Sequence, residues 1–262
     1  MMAYVARQVA NIANMPRGGP DASCLDRLLQ TDRPEYLDRD DVGEEVKRGV
    51  VRSLARMGTL FKENDRIAEL VLREVADIPD PRILELGAAH GGLSRTILEQ
   101  HPTATVTVSD VDPVSVAALA ASDLGGNPRA EVRRLDATAI AAPDRSFDLA
   151  VFALSFHHLP PEAAARVFAE GTRVADSLLI VDLPRPPSPV HLAKVLSLIA
   201  PALVWPFAHD GLISSMRAYS PSALRALAAH ADPAIEVEIT SGSGLGQFLV
   251  AARQTVVARR PR

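Results

Sequence analysis

The segment Ile83-Leu-Glu-Leu-Gly-Ala-Ala-His-Gly-Gly-Leu-Ser94 runs an apolar strand into a turn of small residues that opens a helix. A turn this small lets a ligand lie against bare backbone. The helix N-terminus behind it offers N–H groups and a partial positive charge to an anion. Val106-Thr-Val-Ser-Asp110 is a second apolar strand, ending in a carboxylate that can accept both hydroxyls of a ribose. Arg134-Leu-Asp136-Ala137 ends a third and suits an adenine amino group. Three successive strand ends thus offer an anion seat, a ribose acceptor and a base contact. That pattern describes an adenosine-type cofactor lying along the C-terminal edge of a sheet.

Other residues have two readings each. His157 and His158 follow a fourth strand, where an imidazole can serve as general base or cap the next helix. His209 and Asp210 line a substrate pocket or make a turn, and Arg217 and Tyr219 share that choice. The apolar segment Leu196–Phe207, with Trp205, is a core helix broken by Pro201 or a lid over an apolar substrate. His90 shapes the glycine loop. Gly87, Ala89 and Gly92 also fit a relaxed dinucleotide fingerprint, and Asp110 serves either class. An NAD(P)-dependent oxidoreductase is disfavoured by the long helical region before the first strand. It also lacks a Tyr-x-x-x-Lys pair, since Ala223 follows Tyr219 at that spacing. No His, Cys, Asp or Glu cluster has metal-ligand spacing, and Ala153-Leu-Ser155 supplies no acid for a catechol-type magnesium site. No metal is expected.

These residues need elements to hold them. Short apolar runs predict strands at Arg82–Leu86, Thr105–Ser109, Glu131–Leu135, Phe147–Ala153 and Leu178–Asp182. Helical spacing predicts Gly91–Gln100, Pro113–Ser122 and Pro161–Val174 between them. Such alternation implies parallel strands with right-handed crossovers. Ile235–Ile239 and Gln247–Ala252, joined by a Ser/Gly run, predict a closing antiparallel pair. The expected fold is α/β: a Rossmann-like, doubly wound, seven-stranded mixed sheet of five parallel strands plus a C-terminal antiparallel hairpin. Before it, Val46, Val50, Val51, Leu54 and Met57 share one helical face, and a second helix spans about Asp65 to Val75. The domain reading is an N-terminal helical cap over 1–78 and a cofactor-binding domain over 79–262, with a substrate-lid insertion near 184–220. Ser220 and Pro221 predict the N-cap and first residue of a helix.

Composition sets the outer limits. The 262 residues are 47% hydrophobic and 23% charged, enough for a sizeable core and too apolar for a disordered chain. A net charge of −4 disfavours nucleic acid as partner. So does the absence of an Asn/Asp-Pro-Pro-aromatic run after the fourth strand. The single cysteine, Cys24, makes no internal disulfide. Arg7, Gln8 and Asn11 interrupt what would be a signal peptide's apolar run, and Pro201 and Pro206 interrupt the most apolar stretch. The expected protein is cytoplasmic, without a membrane span, and the sequence permits a homodimer.

The ordered motifs resemble the class I S-adenosylmethionine-dependent methyltransferases over roughly residues 65–255. Glu85, Gly87 and Gly91 match the family's acidic and glycine positions, while Ala89 stands where the middle glycine is usual. By that resemblance Asp110 holds the ribose, Val111 packs on adenine, and Asp136 with Ala137 forms the adenine-side motif. Ser146–Val151 matches the fourth-strand signature and leads to Ala153, a further cofactor position. Phe156-His-His-Leu159 resembles a branch containing quinone C-methyltransferases and bacterial natural-product O-methyltransferases. Asp182-Leu-Pro-Arg185, His209-Asp-Gly211 and Arg217-Ala-Tyr-Ser220 resemble a subset of those enzymes. The resemblance implies S-adenosyl-L-methionine as cofactor and a small, largely apolar methyl acceptor, most readily a hydroxyl oxygen. It implies His157 or His158 as base, with His158 aligned as the structural one, and a substrate site at His209, Asp210, Arg217, Tyr219 and Trp205. The alternative is a non-catalytic cofactor-binding or partner subunit of the same fold.

Overall fold

The computed structural model describes residues 9–241 and 252–261. Their chain path forms two compact units. A sheet unit comprises the described residues of 64–181, 227–240 and 255–262; a helical unit comprises those of 1–63, 182–226 and 241–254.

The sheet unit carries seven strands: β1 (Arg82–Leu86), β2 (Thr105–Asp110), β3 (Ala130–Arg134), β4 (Phe147–Ala153), β5 (Ala175–Asp182), β6 (Glu236–Ser241) and β7 (Gln254–Arg259). Their order is β3-β2-β1-β4-β5-β7-β6. β1 to β5 pair in parallel, and the β5-β7-β6 edge is antiparallel. The expected seven-stranded mixed sheet is therefore present. Its order differs from the all-parallel 3-2-1-4-5-6 of dinucleotide dehydrogenases, which weighs against the oxidoreductase alternative. The first strand of the closing pair, Glu236–Ser241, falls within two residues of its expected place. The apolar run Gln247–Ala252 lies outside the described residues up to 251, and the seventh strand is the next run, Gln254–Arg259.

Each sheet face has its own partners. Ile83, Val106, Val108, Leu149, Val151, Leu179 and Val181 alternate onto one face, where α3 (Glu63–Glu74) and α4 (Gly92–Gln100) bury Ile67, Val71, Leu93 and Ile97. On the other face Phe152 meets Phe156 edge-on, and Phe156 meets Phe168 of α6 (Pro161–Val174) the same way, each pair with centroids 5.7 Å apart. Gly171 lets α6 lie close on β5, because a Cβ there would stand 2.9 Å from Leu178 Cδ1. Between β2 and β3, α5 (Pro113–Ala120) begins with Asp112 accepting the Val114 and Ser115 N–H groups.

The helical unit contains α1 (Cys24–Leu28), α2 (Glu44–Leu60), α7 (Ser188–Val204) and α8 (Pro206–Arg217). Ser23 and Asp26 form a reciprocal capping box at α1. The expected break at Pro201 does not occur. Pro201 sits in the last turn of α7, which closes with Trp205 N–H donating to Pro201 O at 2.9 Å. A proline so near the end removes only one helical bond. The break falls at Trp205, extended before a proline as sterics require, and Pro206 opens α8. The N-terminal region is less helical than expected: residues 29–43 hold only a 3₁₀ turn at Tyr36–Asp38, and the described part of the first amphipathic segment is a 3₁₀ helix, Val9–Asn14. The last helix, α9 (Pro221–Ala231), starts as predicted, with Ala223 N–H donating to Ser220 Oγ at 3.1 Å.

Candidate active site

The sheet unit's C-terminal edge gathers all nine expected cofactor positions and both histidines. After β1 the chain makes a loop with three left-handed residues, Gly87 (φ 69°), Ala89 (φ 47°) and Gly91 (φ 71°). Gly91 then serves as N-cap residue of α4. At two of the three, glycine takes this backbone without the strain a Cβ brings, and little room is left beside it. A Cβ on Gly91 would lie 2.4 Å from Leu124 Cδ1, and one on Gly87 would lie 3.2 Å from Ser155 Oγ. Ala89 adopts the conformation at a cost of about 1–2 kcal/mol, with its methyl group exposed.

Asp110 locks this loop to β2. Its Oδ2 accepts the Ala89 N–H and its Oδ1 the Asp112 N–H, both at 2.9 Å. Each oxygen retains a lone pair for a further donor. Val111 and Val114 are exposed beside it, and they are the large apolar side chains the sheet unit leaves exposed among the described residues. Arg134 Nε donates to Val111 O at 3.1 Å and fixes that platform. Asp136, exposed, accepts the Thr138 N–H and hydroxyl at 2.8 and 2.7 Å, which hold its carboxyl below the usual range. Ala137 is half-buried next to it.

Glu85 lies beneath the loop. In register it lies beside Val108 and Val151, and it accepts a hydrogen bond from the Ser94 hydroxyl. Burial pushes its carboxyl up to about 7. At the end of β4, half-buried Ala153 leads into Leu154, another left-handed residue (φ 60°), and then to the 3₁₀ turn Phe156–His158. The two imidazoles are neighbours, centroids 4.4 Å apart. His157 is 4% exposed, whereas His158 is half-buried, so His158 is the more accessible ring.

Residues 83–177 match a family model described as a methyltransferase domain. Over those residues the chain is similar to that family. Its seven-stranded sheet has the Rossmann-like fold of S-adenosylmethionine-dependent methyltransferases. The solved plantazolicin methyltransferase BpumL, in complex with SAH, is similar over 98% of this chain and 99% of that one, with 11% identity and a TM-score of 0.65. A SAM-dependent methyltransferase from Aquifex aeolicus is similar over 74% and 89%, with 19% identity and a TM-score of 0.51. The [4+2]-cyclase SpnF is similar over 75% and 80%, with 17% identity and a TM-score of 0.55. At such identities the likeness concerns the fold. A search of the curated proteins found no match.

The sheet unit holds a clamp that sequence reasoning missed. Arg95, one turn into α4, donates Nη1 to His90 O at 2.6 Å, Nε to both Asp123 oxygens at 2.8 and 3.0 Å, and Nη2 to Ser122 Oγ at 3.1 Å. It thereby ties the His90 carbonyl of the loop to α4. An arginine four residues past the last loop glycine was the available signal; Asp123 and Ser122, in a different crossover, gave none.

The expected substrate residues lie in the helical unit, engaged there. Tyr36 stacks on His209 with centroids 3.8 Å apart, and Asp210 Oδ1 accepts the Tyr36 N–H at 2.8 Å and bonds His209 Nδ1 at 2.9 Å. Burial pushes the Asp210 carboxyl up. Arg217 pairs with Asp38 at 3.4 Å. Tyr219 is buried under the Arg17 guanidinium, 4.4 Å from its ring centre. Trp205 is instead half-exposed beside Phe207.

Proposed function

We propose that this chain transfers a methyl group from S-adenosylmethionine to a hydroxyl oxygen of a small, largely apolar acceptor. The observation that carries the reading is the joining of three adjacent strand ends. A small-residue loop after β1, a carboxylate bonded to that loop with an exposed valine platform after β2, and the Asp136 carboxylate after β3 stand at neighbouring strand ends. The donor set fits the cofactor: Asp110 accepts hydroxyls, Val111 offers an apolar face to a base, and Asp136 with Ala137 meets its amino edge. Gly87, Ala89, Gly91, Ala153 and the buried Glu85 shape the remaining cradle. S-adenosylmethionine, when bound, supplies a methyl carbon on a sulfonium, already activated toward displacement.

The chain's own residues then have two tasks. The strand-end loops align and desolvate the reactants, which accounts for most of such a rate enhancement. His158, the accessible imidazole, takes the proton from the acceptor hydroxyl, with His157 buried behind it as support. His209, Asp210, Arg217 and Tyr219 have a holding role in this proposal. The apolar segment Leu196–Phe207 with Trp205 supports an apolar acceptor, and the acidic net charge points the same way by disfavouring polyanions.

Calorimetry with the methyl donor tests the cofactor half. Asp110→Ala removes a charge-assisted acceptor, and donor affinity should fall at least roughly tenfold. Tighter binding of a nicotinamide dinucleotide would overturn the reading. Transfer to phenols of graded acidity tests the base. His158→Ala should lower turnover by roughly 10²–10⁴ on weakly acidic phenols and much less on those that ionise unaided. Donor binding without transfer to any oxygen acceptor would leave a binding module, or another reaction on this fold.

A further inference from the structure

Helix α7 turns an uncharged face outward. Every exposed position on it is apolar or serine, and Leu196, Ile199, Leu203 and Val204 recur there at helical spacing. Leu203 and Val204 are 81% and 85% exposed, and Trp205 follows directly. No Asp or Glu occurs between Asp182 and Asp210. Apolar side chains gathered on one helix mark a surface that contacts something other than water.

The end of this stripe has a second character. Trp205, Phe207, Gly49, Ser53, Arg52 and Arg56 line a groove of about 620 Å³, with Glu45 as the single acid against the two arginines. Gly49 and Ser53 are small residues one turn apart on α2, and the tilted rings of Trp205 and Phe207, centroids 4.9 Å apart, give the groove its aromatic part. Arg52 and Arg56, also one turn apart, are exposed. Neither takes part in an ion pair among the described residues. Helix α2 carries four cations against two acids, although the whole chain is acidic.

An apolar stripe that ends in an indole and two unpaired guanidiniums reproduces the layering of a bilayer surface. Hydrocarbon suits the aliphatic residues, and the headgroup level suits tryptophan and arginine. A second copy of the chain would bring like charges together at the groove; an anionic surface neutralises them. We propose that α7, Trp205 and the Arg52/Arg56 pair dock this protein onto an anionic lipid bilayer. The helix lies in the surface plane; among the described residues no helix is long and apolar enough to cross a membrane. The proposal is independent of methyl transfer.

Trp205 is the chain's one tryptophan, so its emission reports on the site. The full chain is mixed with phosphatidylcholine vesicles and with vesicles that also contain phosphatidylglycerol. Emission should shift to the blue only with the anionic vesicles, be quenched by lipids brominated in the acyl chain, and recover as salt is raised. Arg52→Glu with Arg56→Glu should weaken partitioning at least roughly tenfold. Leu203→Ser with Val204→Ser should do the same through lost apolar contact, again roughly tenfold. All four side chains are exposed, and circular dichroism confirms that each variant is folded. Unshifted emission with anionic vesicles at low salt would overturn the proposal, as would equal binding to both vesicle types. A dimer in sedimentation equilibrium that Leu203→Ser with Val204→Ser splits would assign the face to a second copy instead.

Discussion

The sheet unit and the helical unit distribute polarity in opposite ways. Among the described residues, ten of the seventeen buried polar or charged side chains belong to the helical unit, including Arg17, Glu35, Arg185, Asp210 and Arg217. Ten of the twelve exposed large hydrophobics belong to it as well. The sheet unit has a largely apolar core and places its carboxylates Asp110 and Asp136 at the edge, each bonded to the loop beside it. One unit is held by burying hydrocarbon. The other is held by side chains that reach between its segments. Strand-end chemistry needs the first kind of support, because a packed sheet fixes loops to within the tolerance that alignment requires. The second kind leaves apolar helix faces free for other contacts.

Arg185 is the sharpest case of the second kind. Its Nη2 donates to Asp26 O and Leu29 O at 2.8 and 3.1 Å, and its Nη1 to Met216 O and Ala218 O at 3.2 and 3.4 Å. It thereby serves the C-terminal carbonyls of both α1 and α8. Burial pulls its guanidinium down to about 10. Arg185→Met should cost roughly 3–5 kcal/mol in urea denaturation, because four carbonyls lose a buried donor. Arg185→Lys should recover little, since one ammonium cannot span two helix ends. A methionine variant as stable as the parent would break the comparison and show that apolar packing holds the helical unit too.

The exception in the sheet unit is Glu85, a carboxyl among apolar rungs. Its folded value near 7 stands above the unfolded 4.5, so its contribution is fully favourable below the unfolded value and is lost as pH rises through the folded one. The loss amounts to roughly 3 kcal/mol across that window. Glu85→Gln keeps an acceptor for Ser94 and removes the titration. Parent and variant should therefore have similar urea midpoints at about pH 4.5 and diverge toward about pH 8, with the glutamine form the more stable. Parallel pH profiles would assign the titration to another group.

The same contrast decides what was legible in the sequence. The edge of the sheet was readable because each functional residue sits within a few positions of a strand end, and a strand announces itself by alternation. Asp110, Asp136 and the glycine loop are local features in this sense. Arg95 with Asp123 and Leu154's left-handed turn were not, since the first joins two crossovers and the second is set by packing. In the helical unit even the type of element was harder to read. Asp210 and Arg217 are candidate substrate residues in the sequence, and the partners they have in the fold, Tyr36 and Asp38, lie far away along the chain. Pro201 looked like a break because its place in the last turn depends on where α7 ends.

The smallest expected effect concerns Ala89, the alanine where the related motif has glycine. Its φ of 47° costs about 1–2 kcal/mol for a residue with a Cβ, and glycine would remove that cost. Glycine also has more freedom to lose on folding, about 0.5–1 kcal/mol. Ala89→Gly should therefore stabilise by roughly 0.5 kcal/mol, a small upward shift in melting temperature. Donor affinity should change less than about threefold, because the N–H that reaches Asp110 is backbone and survives the substitution. The two readouts separate two roles for the methyl group. A gain in stability alone makes Ala89 a tolerated strain at a rigid edge. A gain of about tenfold in donor affinity would mean instead that the methyl narrows the cradle itself, and that this domain holds its cofactor less tightly than its backbone allows.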